Sequence, residues 1–102
     1  MNTMAPVQTS EQYRAQAVHW ARADGTARQL EESKTAVLAK MMKALGGGEK
    51  PPPLAAAERD VKASQEWHDF ITEMVMARTN ANLARAEMDY LAMRHAEEMR
   101  RV

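Results

Sequence analysis

Between Trp67 and His95 the chain places Trp67, Phe70, Met74, Ala77, Ala81, Ala84, Met88, Leu91 and His95 at alternating three- and four-residue steps without a miss. An average repeat of 3.5 residues is what a helix needs when it lies along another helix, because it keeps one seam facing the partner. This stripe therefore points to an all-α fold. Its middle is alanine alone, at Ala77, Ala81 and Ala84, which lets a second helix approach closely. The large residues at either end fill the space where two helices diverge.

The partner helix is available within the chain. Tyr13, Ala17, Trp20, Ala27, Leu30, Val37, Leu38, Met41 and Leu45 recur at helical spacing and give the first half an apolar stripe of its own. Thr9 followed by Gln12 forms a capping-box pattern, which predicts a first helix over 11–45 after a flexible N-terminus, 1–10. Gly25 beside Asp24 and Thr26 admits a kink or a break in its middle. The run GGGEKPPP over 46–53 cannot hold helix cheaply, so it reads as the linker. The second helix is predicted over 54–102. Ser64 can either cap a new helix or lie within a continuous one, and continuity is the reading adopted.

At 1.5 Å per residue, helices over 11–45 and 65–102 are roughly 52 Å and 57 Å long, so they match as an antiparallel hairpin in a single domain. That match sets Met41 near Ile71, Leu30 near Asn82 and Trp20 near Ala92. A hairpin has one buried seam only, which leaves Ile71, Val75, Met76, Leu83, Tyr90 and Met99 partly exposed. Self-association into a four-helix bundle or larger oligomer is the economical remedy. The residues expected in the helix seam or at interfaces are Trp20, Leu30, Met41, Trp67, Phe70, Met74, Ala77, Ala81, Ala84, Met88 and Leu91.

Several classes of function find no support in the residues. Lysine plus arginine and aspartate plus glutamate each number 14, so there is no global charge to draw in nucleic acid or an anionic membrane. Cysteine is absent, which removes disulfides, thiolate metal sites and cysteine nucleophiles. No bilayer-spanning run and no leader pattern stands in the sequence, so a cytoplasmic location is expected. None of His19, His68 and His95 stands in an HExxH pattern or has a glutamate three residues before it, as a bundle di-metal site requires. No catalytic, cofactor-binding or metal-binding residue is assigned, and an enzyme is not expected.

One polar cluster interrupts the flank of the second helix: Arg78, Asn82 and Arg85, with Asn80 close by. Such residues can contact phosphates or base edges. Asp24 and Glu31 fall at similar heights on the first helix, and pairing with them is the simpler account. The nine methionines could form a pliable surface for a protein partner. Trp20, Trp67, Phe70 and Tyr90 fit helix packing or an interface better than base stacking.

The second half, from Glu58 to Val102, carries an AR..AN.AR spacing over Ala77 to Arg85, then Tyr90, the triplet Ala92, Met93, Arg94, and a terminal E..RR at Glu97, Arg100 and Arg101. In these features it resembles small uncharacterised Ala/Arg-rich helical proteins of tailed bacteriophages and prophages. The resemblance implies an accessory role near enzymes of phage DNA metabolism in a bacterial host cell, and it assigns no catalytic residue. Three functions follow as expectations: a self-associating interaction or assembly protein, an accessory binder of single-stranded nucleic acid, and a small inhibitor of a host defence enzyme.

Overall fold

The computed structural model describes residues 6–46 and 52–101 of the chain. It contains α1 (Pro6–Leu45), α2 (Leu54–Lys62) and α3 (Gln65–Arg101), in that order. The two long helices pack against each other along their lengths, while α2 touches both at the closed end. The result is an all-α hairpin. No helix among the described residues is long and apolar enough to cross a membrane.

Every position of the stripe read from α3 is buried or half-buried. Trp67, Ala81, Ala84, Met88 and Leu91 are buried outright, and Phe70, Met74, Ala77 and His95 are half-buried. On α1, Trp20, Leu30 and Met41 are half-buried and Ala27 is fully enclosed. Trp67 and Phe70 meet with ring centroids 5.7 Å apart, at the end where Ala57 and Val61 of α2 close the core.

Two boundaries differ from the sequence reading. Helix α1 begins at Pro6, so residues 6–10 are helical and the flexible N-terminus does not extend to residue 10. Proline suits a first helical turn, where its missing N–H would have had no partner. Thr9 is consequently inside the helix and not at its cap; it is fully buried, and its Oγ1 lies 3.0 Å from His95 Nδ1. A contact with the far end of α3 has overridden the local capping pattern.

Second, the helix expected over 54–102 breaks at Ala63 and Ser64. Ser64 takes the capping role: its Oγ accepts from the Trp67 N–H at 3.3 Å, and the Ser64 N–H donates to the Val61 carbonyl at 2.9 Å. The break lets α2 turn its buried Ala57 and Val61 inward while Trp67 starts the α3 seam. At Gly25, where the sequence leaves a kink, a break or a continuous helix open, α1 runs through without interruption.

The register also differs. With Thr9 against His95 and the Gln16 amide donating to the Ala84 carbonyl at 3.3 Å, Trp20 sits beside Arg85, not near Ala92. Leu30 accordingly shares a cleft with Thr72, Met76 and Ala77, well short of Asn82. Met41 falls opposite the break before α3 and not opposite Ile71. The shift is about two helical turns, or roughly 12 Å. Size matching suits this register: counted from the Thr9–His95 contact, Trp20 falls level with Ala84, and Ala23 and Ala27 fall level with Ala81 and Ala77, so small residues face each other where helices approach closely. The last turns of α1 then overshoot the start of α3 and pack on α2.

Two stability changes of opposite sign follow. At Gly25 an added Cβ would meet nothing within 4 Å, so Gly25→Ala should stabilise the fold by about 0.5–1 kcal/mol through lost unfolded-state freedom. Ala81 is fully enclosed, so Ala81→Leu should cost about 1–3 kcal/mol by overpacking and should loosen any assembly built on the hairpin. Urea denaturation at one fixed protein concentration measures both; an Ala81→Leu protein as stable as the wild type would contradict the close seam.

Candidate interaction surface

One flank of the hairpin is closed by charge. Arg78 on α3 donates from Nε to Glu31 Oε2 at 2.9 Å, from Nη2 to Glu31 Oε1 at 2.7 Å and from Nη1 to Asp24 Oδ1 at 2.8 Å. The second oxygen of Asp24 receives Arg28 Nε at 2.9 Å. A planar guanidinium gripping one carboxylate with two nitrogens and a second with its third is the arrangement that arginine, unlike lysine, can make. Arg78 hydrogen-bonded to both carboxylates holds Asp24 and Glu31 below their ordinary values of 3.8 and 4.5. Glu31 and then Asp24 push Arg78 up in turn.

Arg85, one heptad further along the same flank, places its guanidinium carbon 5.1 Å from the centroid of the Trp20 ring and its Nε 3.5 Å from Asp89 Oδ1. Asn82 is exposed. Asn80 lines clefts on the opposite flank, beside Thr26 and Ala77. The polar cluster of the sequence is thus divided. Arg78 ties the helices together, Arg85 covers a tryptophan, and the two asparagines face different ways.

The three histidines are also separated. His19 borders a shallow cleft of about 480 Å³ with Gln16, Thr26 and Asn80, His68 is exposed at the start of α3, and His95 meets Thr9 at the open end. No group of three or more His, Cys, Asp or Glu side chains able to hold a metal ion occurs among the described residues. At the closed end a cleft of about 530 Å³ lies between α1 and α2, lined by Leu38, Ala39, Met42, Leu54 and Ala57 among others.

Leu54 in that cleft is 77% exposed, and a longer run of exposed apolar residues lies on α3. Met76 is 59% exposed, Leu83 64%, Tyr90 46% and Met93 57%. Together with Thr72, Thr79 and Ala86 they form a second run of alternating four- and three-residue steps on α3. It is rotated roughly 150° round the helix from the seam that meets α1, so it is the back of the hairpin. No charged residue interrupts it from Thr72 to Met93.

Sequence reasoning anticipated the exposure of Val75, Met76, Leu83, Tyr90 and Met99, all at 46% or more. It missed buried Thr9 and Glu98 and half-buried Gln16, because a search for apolar residues passes over polar ones. Phase alone would have found them: steps of four and three backward from Trp20 reach Gln16, Tyr13 and Thr9, and three onward from His95 is Glu98. Glu98 is held there by Arg94 Nη2 at 3.5 Å.

The depressed carboxyls set a pH dependence. Groups whose folded-state pKa lies below the unfolded one stabilise fully above the ordinary carboxylate range and lose that contribution as pH falls through the depressed values. The Tm should therefore drop between about pH 5 and about pH 3, and Arg78→Met should make the drop shallower. An equal slope in the two proteins, measured by thermal circular dichroism, would remove the Arg78 pairings as its cause. Comparison of the chain with protein-family models, with curated proteins and with solved structures finds no match.

Proposed function

We propose that the chain is a non-enzymatic helical interaction protein, in which the α1–α3 seam makes the hairpin and the exposed Met and Tyr face of α3 engages protein, including further copies of the same chain. The observation that carries this reading is an excess of surface. A compact chain of this length has a radius of gyration of about 13 Å, against 21.7 Å here. A monomer of 11.5 kDa is expected to leave roughly 5,800 Å² accessible, against 7780 Å² here. The difference exceeds the roughly 800 Å² per partner that a standard interface buries.

The composition of the exposed face supports a protein partner. Methionine adapts to varied shapes, and tyrosine brings a rigid ring with a polar edge, two properties that suit interfaces. The resemblance of the second half to phage and prophage helical proteins supports a setting in phage DNA metabolism inside a bacterial host. In that setting the hairpin would serve as an accessory to other proteins.

Sedimentation velocity over a concentration series tests the proposal. The chain should sediment above 11.5 kDa, with a population that grows with concentration. A single monomeric species at the highest soluble concentration would refute self-association.

A further inference from the structure

The back of α3 carries more information than exposure alone. Along one edge of its apolar stripe, seven residues apart, stand Glu66, Glu73, Asn80, Glu87, Arg94 and Arg101. Acid occupies the N-terminal end of that edge and base the C-terminal end. Within the stripe, Asp69 precedes the uncharged section, and Glu97 and then Arg100 follow it. Along that edge the charge order is therefore reversed from one end of the helix to the other.

We infer that α3 pairs back to back with α3 of a second copy, antiparallel, about a two-fold axis between Leu83 and Ala86. This deepens the self-association reading and rests on it. In that register Met76 faces Met93, Leu83 faces Ala86 and Thr79 faces Tyr90, so each large residue but Met76 and Met93 lies over a smaller one. The same register sets Asp69 opposite Arg100, Glu73 opposite Arg94 and Glu66 opposite Arg101, while Glu97 faces Thr72. Opposite charges then flank the apolar layers at both ends. A parallel pair would instead set Asp69 on Asp69, Glu97 on Glu97 and Arg100 on Arg100.

The flanks of the hairpin give independent support. A square four-helix bundle needs an apolar strip along one flank of each hairpin. One flank here holds Arg78 with Asp24 and Glu31, and the other mixes His19, Thr26, Glu73 and Asn80 with Leu30, Ala77 and Ala84, with Met76 and Leu83 of the back stripe bordering the same clefts. The back of α3 is the long uncharged face that remains. The assembly is accordingly a flat row of four helices, with the two α3 helices inside and an α1 helix at each edge.

The test uses the full chain. Leu83 is 64% exposed in the hairpin, so Leu83→Glu should keep the wild-type circular dichroism while setting two unpaired carboxylates beside the axis. Sedimentation should report a dissociation constant raised about a hundredfold or more. The chain has no cysteine, so His68→Cys accepts a single spin label. Antiparallel pairing puts the two labels roughly 50 Å apart and parallel pairing roughly 10 Å apart. A monomeric wild type overturns both this inference and the reading beneath it. A dimer unaffected by Leu83→Glu overturns the back-to-back seam and leaves self-association standing. Labels near 10 Å overturn the antiparallel arrangement.

Discussion

Close contact between alanines on α1 and α3 is the constraint from which the rest of the molecule follows. Ala27 and Ala81 are fully enclosed, as small residues are where two helices pack closely. Such a seam is narrow. It excludes water without removing much apolar area, so the stabilisation per residue is modest compared with a leucine-filled core. Larger contributions come from the bigger side chains buried at both ends, Trp67 and Val61 at the closed end and Met88 and Leu91 toward the open one.

A narrow alanine seam also specifies position poorly, since a slide of one heptad presents the same face again. Polar contacts between the helices supply what the alanines lack. Thr9 meets His95 at one end, Gln16 reaches the Ala84 carbonyl, and Arg78 spans Asp24 and Glu31. A slide of one heptad would separate all of them together and leave Thr9, which is fully buried, beside a different surface. Buried polar groups that fix register are a recognised use of polarity in helical seams. The thinness of the hairpin is the other side of the same arrangement: two helices with one seam leave the back of α3 uncovered.

Much of this was legible in the residues. The heptad run from Trp67 to His95, the turn at GGGEKPPP and the exposure of Met76, Leu83 and Tyr90 follow from spacing and composition alone. Arg78 pairing with Asp24 and Glu31 was legible as the simpler of two accounts. Register was not, because equal helix lengths are a weak guide when α1 starts a turn earlier than its capping pattern suggests and α3 starts after a break. Ser64 could have served either as a cap or as a helix-interior residue, and only the inward turn of Ala57 and Val61 decides between them. Polar seam residues such as Thr9, Gln16 and Glu98 were hidden by a criterion that counts apolar side chains.

Isotope-filtered nuclear Overhauser spectroscopy on the wild-type chain tests the α1–α3 seam most directly, since it separates contacts within one chain from those between copies. The account predicts intrachain cross-peaks from the Trp20 indole to the Ala84 methyl and from the Thr9 methyl to the His95 ring. Cross-peaks from Trp20 to Ala92, or none between α1 and α3 of one chain, would contradict it.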